Sequence, residues 1–409
     1  MADPLHFDID GERLIADLRA LAAIGACGTG VDRVAFCDLD IEARAFVAAR
    51  FAEAGLAVET DRFGNVLGRW PDADRAVLIG SHTDTVPRGG WLDGALGVLY
   101  GLEIARSMRE AGIAPAVGVD VIDFSDEEGT FIPCLGSRAF VGSLGEEEIA
   151  AASSAGRSLV EAMDRPELAG APLRLDPARH VAYLEAHIEQ GPRLESTGIP
   201  VGVVTGFVGI RRVFVTAKGA ADHAGTTPMG MRRDAGAPLF RLAAWVAEAF
   251  PKAAAADTVW NIGEVRLDPG AANVVPREGR LVIEFRDTDG AVLDRLEAMI
   301  REEVARIDAE SAADLSLAVP TRIPPMPTDG AVRAAMADAA RDHQLASMEM
   351  PSGAGHDAMI LAPHVPSGLL FVPSIGGKSH SVEEDTAEED IVRGCRVMAR
   401  AVARVIAGA

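Results

Sequence analysis

The feature that most constrains the fold is a pair of short, almost wholly apolar segments separated by a helical pattern. Residues 75–81 and 117–124 each predict a strand, and the second is apolar at nearly every position, as in buried parallel strands. Apolar side chains then repeat with helical spacing over the sixteen residues after Asp93, which we expect to be the helix N-cap. Alternating strands and helices predict a three-layer α/β domain.

A different pattern runs from residue 211 to about 327. Its predicted order is β-α-β-β-α-β, the ferredoxin-like arrangement. The segments are strand 211–217, helix 233–250, strands 257–266 and 279–286, helix 290–309 and strand 313–318. We therefore predict one α/β domain made of residues 1–210 and 328–409, interrupted by an inserted α+β domain at 211–327.

The amino-acid composition limits the classes of partner that the protein is expected to bind. The 409 residues include 39 Lys and Arg against 61 Asp and Glu, a formal charge of −22. This acid excess argues against nucleic acid or an anionic membrane as the main partner. The sequence has no apolar run of 18 residues, and its N-terminus lacks a signal-peptide pattern. The four cysteines form no Cys-X-X-Cys pair, so we expect free thiols and a cytoplasmic location.

Polar residues follow the first two predicted strands. His82, Asp84 and Asp93 come after the first strand, where open α/β sheets place ligands. We expect Asp84 to orient the imidazole of His82. Glu127 and Glu128 follow the second strand, and adjacent carboxylates favour a nearby cation. From these residues alone, a turn with a helix cap and a solvated acidic loop remain alternatives.

Two further histidines, His187 and His380, stand in loop-flanked segments. With His82, Asp93 and Glu128 they give three imidazoles and two carboxylates. That donor set suits two divalent ions that share one carboxylate, although a buried or surface histidine remains the alternative for each imidazole.

Several strings together identify a resemblance. The chain contains, in order, GSHTDTV, GGWLDGALGV, DEEG, HIEQGP, DHAGTTPM, NVVP, EFRD, GAGHDA and GKSHS. In these it resembles the hydantoinase/carbamoylase branch of the dinuclear zinc aminoacylase/carboxypeptidase superfamily. That branch includes N-carbamoyl-L-amino-acid hydrolases, β-ureidopropionases and allantoate amidohydrolases. The resemblance covers essentially the whole chain.

The resemblance implies a role for each matching residue. His82, Asp93 and His187 would bind one metal, and Asp93, Glu128 and His380 the other, with zinc or manganese as the ion and cobalt or nickel as in vitro substitutes. Glu127 would be the general base. The substrate would be held by residues that lie elsewhere in the sequence, namely Gln190, His223, Asn273, Arg286, Gly355 and His356. Of these, His223 would polarise the scissile carbonyl, and Arg286 and Asn273 would hold a carboxylate.

The resemblance also implies an amidohydrolase that cleaves the ureido bond of N-carbamoyl amino acids. A ureide such as allantoate, or another N-acyl amino acid, is the alternative substrate. The inserted domain would serve as a lid and would pair two chains into a homodimer. One departure bears on the substrate. Many relatives read Glu-Glu-Gly-Ser-Arg-Phe, whereas this chain continues from Glu128 with Gly129-Thr130-Phe131 and has no Arg.

Overall fold

The structure is a computed structural model that describes residues 5–409. The α-helices of this range are α1 Gly11–Ala23, α2 Asp38–Glu53, α3 Ala95–Glu110, α4 Leu135–Val141, α5 Glu146–Ala151, α6 Leu159–Met163, α7 Arg193–Thr197, α8 Gly236–Ala253, α9 Gly290–Glu310, α10 Gly330–Asp342, α11 Asp357–Leu361 and α12 Glu388–Gly408. The strands are β1 Ala26–Cys27, β2 Gly30–Val31, β3 Ala57–Thr60, β4 Val66–Arg69, β5 Arg75–His82, β6 Val117–Phe124, β7 Ser153–Ser154, β8 Arg157–Ser158, β9 His180–Ile188, β10 Val201–Phe207, β11 Gly209–Lys218, β12 Val259–Asp268, β13 Glu278–Asp287, β14 Asp314–Ile323, β15 Met326–Pro327, β16 Ser347–Ser352 and β17 Ser367–Val372.

The chain divides into two compact units. One comprises the chain up to Thr205 together with Pro327–Ala409, and the other is Gly206–Met326. The boundaries between the units therefore fall at 205/206 and 326/327, whereas the sequence pattern predicts them at 210/211 and 327/328. We call the first the α/β unit and the second the inserted unit.

A nine-stranded mixed sheet forms the centre of the α/β unit. Its order is β15-β10-β17-β9-β5-β6-β4-β3, and β16 pairs with β10. The four central strands, β17, β9, β5 and β6, are parallel to one another. Every residue of β6 and β17 is buried, as expected for parallel strands covered on both faces.

Helices cover both faces of this sheet. One face packs on α3, α10 and α12 through a large apolar core, and α1 packs on α3 and α12. The other face packs on α4 and α11, where the Phe124 ring meets the Phe140 ring edge-on at 5.6 Å. The predicted three-layer α/β architecture is therefore confirmed.

Parallel pairing brings distant parts of the sequence to one edge of the sheet. Strand β5 ends at His82, and β9 carries His187 one residue before its end. Strand β6 ends at Phe124, shortly before the acidic loop. Because parallel strands end on the same side, the loops that follow β5, β6, β9 and β17 meet there, in the crevice where such sheets bind ligands.

The inserted unit has a four-stranded antiparallel sheet in the order β12-β13-β11-β14. Helices α8 and α9 pack on it through a core that includes Val213, Leu239, Ile283 and Leu296. With chain order β11-α8-β12-β13-α9-β14, this is the ferredoxin-like arrangement that the sequence predicts, so that prediction is confirmed.

Helix α3 begins differently from the prediction. Its N-cap is Gly94, which has a φ of 68° and offers no side chain for capping. The Asp93 carboxylate therefore does not cap this helix, and it faces the loops at the sheet edge. The expected N-cap role for Asp93 is wrong.

In the part of the chain that the structure describes, no helix is both long and apolar enough to cross a bilayer. All four cysteines are free.

Candidate metal centre

The five candidate ligands converge at the carboxyl edge of the parallel strands. Donor atoms of His82, Asp93 and His187 all lie within 4.8 Å of one another, and so do those of Asp93, Glu128 and His380. Asp93 belongs to both groups. The first group is buried, whereas the His380 side chain is about half exposed at 49%.

The two oxygens of Asp93 face different groups. Oδ1 lies 3.0 Å from His187 Nε2 and 3.6 Å from His82 Nε2. Oδ2 lies 3.6 Å from His380 Nε2, which is also 3.3 Å from Glu128 Oε1. Nitrogen donors at 2.0–2.1 Å from a tetrahedral zinc ion stand about 3.3–3.4 Å apart. The separations therefore fit residues that would hold divalent ions, with Asp93 common to the two groups.

The two buried imidazoles, those of His82 and His187, each turn Nε2 towards Asp93. Nδ1 of His82 lies 3.0 Å from the carbonyl oxygen of Asp84, and Nδ1 of His187 lies 2.9 Å from that of Ile188. A carbonyl accepts from N–H, so each ring carries a proton on Nδ1 and turns Nε2 towards Asp93. Burial lowers the pKa of His82, which favours its neutral form. Burial opposes protonation of His187 as well, but the charge of Asp93 and a hydrogen bond to it raise the pKa of His187 to about 9.

Among the residues that the structure describes, the candidate ligand atoms His82 Nε2 and Glu128 Oε1 have no hydrogen-bond partner. Burial and the charge of Asp93 raise the pKa of Glu128 to about 9. Burial raises the pKa of Glu127 well above its usual value, and the charges of Asp357 and Glu128 add to the shift. Crowded carboxylates beside unpartnered donors are the arrangement that a divalent cation stabilises, so the residues fit a metal.

Two neighbours hold Asp93 in place. Nε2 of Gln190 and Oγ of Ser379 each donate to Asp93 Oδ2, both at 2.8 Å. The Glu384 carboxylate accepts from the amide N–H of Leu92 at 3.1 Å and from that of Asp93 at 3.0 Å. Gln190, which the resemblance assigns to the substrate, thus contacts the bridging carboxylate in this structure.

Asp84 does not orient the imidazole of His82 through its carboxylate. That carboxylate is 3.8 Å from His82 Nδ1, and only the backbone carbonyl of Asp84 is at hydrogen-bond distance. The carboxylate instead accepts from the amide N–H groups of Glu127 and Glu128, each at 3.3 Å. Asp84 therefore positions the acidic loop, and the predicted contact is corrected in this respect.

Glu127 lies beside the first ligand group. Its Oε2 is 3.5 Å from His82 Nε2, and its side chain is only 11% exposed. Its other oxygen, Oε1, accepts from the Cys134 thiol at 3.7 Å. Oε2 therefore lies beside the first ligand group, while Oε1 is held by the thiol.

Gly355 and His356 lie at the start of α11. His356 is buried, and its ring meets the His187 ring edge-on, with 4.6 Å between centroids. Its Nε2 lies 3.0 Å from the Ser352 hydroxyl. His356 therefore supports a candidate ligand by packing. Gly355 is exposed, and a Cβ there would only touch Met359 at 3.5 Å.

The remaining candidates lie in the inserted unit. His223 and Asn273 are exposed neighbours, because the backbones around them pair and the Ala224 N–H donates to the Asn273 carbonyl at 3.0 Å. Arg286 is the penultimate residue of β13, and its Nε and Nη2 donate to Glu284 at 3.0 and 2.8 Å.

Asn273 and Arg286 are far apart in this unit. Residue 273 precedes β13, and the eight steps from Glu278 to Arg286 alone span about 27 Å. The pairing continues outward beyond Glu278, since the Val275 N–H donates to the Asp222 carbonyl at 2.8 Å. Within one chain, a single small carboxylate therefore cannot touch both side chains.

Sequence reasoning missed several residues that shape the site. Ser379 and Glu384 flank the predicted ligand His380 in sequence, so their proximity was a usable signal. Arg44 lies in a distant helix, and it is buried within 3.6 Å of the Asp84 carboxylate. No motif marks it.

Comparison with known proteins identifies the family of this chain. The sequence profile of Peptidase family M20/M25/M40 matches residues 78–404. The N-carbamoyl-L-amino acid amidohydrolase of Geobacillus stearothermophilus is 37% identical, over 98% of this chain and 100% of that protein. The allantoate amidohydrolase of Escherichia coli is 34% identical, over 90% and 92% of the two chains. An amidase of the hydantoinase/carbamoylase family from Burkholderia phymatum superposes with a TM-score of 0.92 and 43% identity, over 98% of this chain and 99% of that one.

The family match makes the protein a hydrolase, and the candidate ligand groups at the carboxyl edge of its sheet fit a metal-dependent one. The chain belongs to Peptidase family M20/M25/M40 and, within it, to the hydantoinase/carbamoylase amidases. The resemblance drawn from the motifs is confirmed, and so is the prediction of a hydrolase acting on amide bonds.

Proposed function

We propose that this protein hydrolyses the ureido C–N bond of N-carbamoyl amino acids, with release of the amino acid, ammonia and carbon dioxide. The observation that carries the proposal is the convergence of four ligand-type side chains on a fifth, Asp93, with Glu127 beside them. The full-length similarity to N-carbamoyl amino acid amidohydrolases supports this substrate class. The similarity to allantoate amidohydrolase makes allantoate the second candidate.

The proposed ligands divide into two sets. His82, Asp93 and His187 would hold one divalent ion, and Asp93, Glu128 and His380 would hold the other. Zinc and manganese are the candidates, because both accept mixed imidazole and carboxylate ligands. When bound, such ions polarise a carbonyl and lower the pKa of water.

The protein's own groups would then move the proton. Glu127 accepts it from the attacking water at Oε2 and returns it to the leaving nitrogen as the C–N bond breaks. His223 donates a hydrogen bond to the oxygen on which negative charge develops. The Cys134 thiol, which donates to Oε1, leaves Oε2 as the carboxylate oxygen for this transfer.

Replacement of Glu127 tests the proposal. In Glu127→Gln we expect both metals to remain bound while kcat falls by about 10²–10⁴, because only the proton acceptor is lost. Asp93→Ala is the contrasting variant and should lose metal as well. Metal content is measured by elemental analysis, and ammonia release is measured on N-carbamoyl amino acids, N-acetyl amino acids and allantoate. Near-wild-type turnover of fully loaded Glu127→Gln would contradict the base assignment.

We propose that Arg286 binds the substrate carboxylate, since a guanidinium can form two parallel hydrogen bonds with it. We also propose that residues 206–326 form a lid and a dimer contact. Edge strand β12 has a single neighbour in its sheet and exposes Val259 and Val265, and α8 exposes Phe240. The distance between Asn273 and Arg286 supports a dimer in which one substrate meets Arg286 of one chain and His223 with Asn273 of the other.

Mixing two inactive variants tests this sharing. Heterodimers of Arg286→Ala and His223→Ala contain one site in which both residues are intact, provided that the two residues of a site come from different chains. An equal mixture should then recover about one quarter of wild-type activity. No recovery in a mixture whose heterodimers are verified by mass spectrometry would place both residues of a site on one chain. Light scattering that shows a monomer would exclude the dimer itself.

We also propose a cytoplasmic location, supported by the four free cysteines. Cell fractionation with an antibody against the protein would test it.

A further inference from the structure

A cavity of about 510 Å³ opens beside the candidate metal centre. Four separate segments line it: 34–37, 86–87, 128–131 and the hairpin at 154–157. Glu128 is one of its lining residues and also a candidate metal ligand, so the cavity and the metal centre share a side chain. The volume lies within the roughly 300–1,000 Å³ of small-molecule sites.

The lining of this cavity is mostly apolar. Phe36 and Phe131 meet edge-on, with 5.8 Å between ring centroids, and Val34 and Pro87 also line it. Glu128 and Arg157 are the only charged side chains among the thirteen lining residues. The guanidinium of Arg157 donates to the backbone carbonyls of Phe36, Glu161 and Ala162, at 3.0–3.5 Å. Both Nη1 and Nη2 of Arg157 therefore already donate hydrogen bonds within the protein.

The walls are fixed by hydrogen bonds from the backbone. The amide N–H of Phe36 donates to Asp40 at 2.8 Å, and Phe36 has a φ of 61°, a left-handed conformation that is uncommon for a non-glycine residue. The N–H groups of Phe131 and Ile132 donate to Asp126 Oδ2 at 3.0 and 2.9 Å. Strained, tethered backbone at a cavity wall is typical of a preformed binding site.

We propose that this cavity binds the side chain of the substrate amino acid and selects large apolar side chains, such as those of phenylalanine and leucine. The inference rests on the proposed function and specifies its substrate class. The scissile carbonyl would lie at the metal centre, and the substrate's side chain starts a few bonds away. Since Glu128 belongs to both sites, that side chain can enter the cavity. An acidic side chain would meet the Glu128 carboxylate and an apolar wall, and it should be rejected.

The test fills the cavity and compares substrates. Val34→Trp places an indole in the cavity, whereas Val160→Trp is a matched control, because Val160 is 52% exposed on α6 and does not line it. The substrates are N-carbamoyl-L-phenylalanine, N-carbamoylglycine and N-carbamoyl-L-aspartate, each with metal-loaded enzyme. The wild type should prefer the phenylalanine derivative by about 10- to 100-fold in kcat/KM, the gain expected from burying its side chain.

Val34→Trp should lose about tenfold or more on the phenylalanine derivative and remain within about threefold on the glycine derivative. Val160→Trp should change neither. Calorimetric binding of N-carbamoyl-L-phenylalanine to Glu127→Gln should weaken by a similar factor when Val34→Trp is added. Thr130→Trp fills the cavity from another wall and serves if Val34→Trp does not fold.

The outcomes separate the two proposals. Equal losses of Val34→Trp on both substrates, no loss on either, or a wild-type preference for the glycine or aspartate derivative would overturn the cavity assignment and leave the ureido activity standing. If the wild type releases no ammonia from any of the three derivatives, the proposed function fails, and the cavity assignment falls with it.

Discussion

Buried Arg44 offers the sharpest test of how the site is held. Its side chain is 3% exposed, and three buried carboxylates surround it. Nε lies 3.0 Å from Asp40 Oδ1, without hydrogen-bond alignment, while Nη1 is 3.4 Å from Asp123 and Nη2 is 3.6 Å from Asp84. Nη1 also donates to the carbonyls of Gly64 and Phe124, at 3.0 and 3.2 Å.

We expect Arg44→Met to destabilise the protein strongly. Methionine preserves much of the volume but leaves the carboxylates without their shared cation, and breaking a buried ion pair costs about 3–5 kcal/mol. For a unit of this size that corresponds to a fall in Tm of about 5–8 °C. Arg50→Met is the matched control on the same helix. Its guanidinium is one third exposed and pairs with Asp17 and Glu53, so it should cost less than about 1 kcal/mol.

The loss of folding stability in Arg44→Met should depend on pH. Burial already raises the pKa of Asp123 to about 7, even though Arg44 opposes the shift, and without Arg44 it should rise further. A carboxyl whose pKa is higher in the folded state binds more protons there, so folding stability falls as pH rises from its unfolded pKa to its folded one. The Tm deficit of Arg44→Met should thus be larger at pH 8 than at pH 5.

Metal affinity measures how Arg44→Met affects the candidate metal centre. Asp84 accepts from the amides of Glu127 and Glu128, so its displacement should disturb both residues. We expect zinc binding, measured by competition with a chromophoric chelator, to weaken about 10- to 100-fold. Differential scanning calorimetry across pH gives the stability. A Tm of Arg44→Met equal to that of Arg50→Met at pH 8 would refute the reasoning.

Two further predictions concern single positions. Gly94→Ala should abolish metal binding, because the new Cβ would lie 2.5 Å from the His82 ring at a φ of 68°; Gly112→Ala, at a φ of 67° with nothing within 4 Å, controls for backbone strain, and elemental analysis reports the metal. Arg286→Lys should lower kcat/KM on an N-carbamoyl amino acid by about 30-fold or more with metal content unchanged, since one substrate carboxylate loses a bidentate partner. Equal wild-type rates on the free acid and its amide would contradict this role.

The sequence predicted most of the framework. Strands β5 and β6 are continuous apolar segments, and the β-α-β-β-α-β order of the inserted unit is visible in its periodicity, so both the α/β sheet and the ferredoxin-like sheet could be foreseen. Local periodicity was sufficient for these two sheets. The candidate ligand set came from the resemblance, because residue type and spacing alone left a helix cap, a solvated acidic loop and ordinary histidines as alternatives.

The contacts that hold the candidate ligands and the acidic loop in place were not predictable in the same way. Asp84 was expected to hold the His82 ring, yet its carboxylate accepts from two amides in the loop after β6. Arg44 lies forty residues upstream of Asp84 and carries no motif. Such contacts depend on how loops from different strands approach one another, and this approach is set by tertiary packing, which no spacing in the sequence encodes.

Phe131, the second residue after the Glu-Glu-Gly motif, departs from the family pattern, and its surroundings in the structure bear on the choice of substrate. Many relatives have Arg where this chain has Phe131, and from the sequence alone this leaves the substrate undetermined. In the structure, Phe131 forms the wall of a cavity that begins at Glu128, and its ring packs on Phe36. A guanidinium there would favour a polar or anionic group, whereas a phenyl ring favours apolar surface. If the cavity takes the substrate's side chain as proposed, this replacement would favour apolar side chains and leave the candidate metal ligands unchanged.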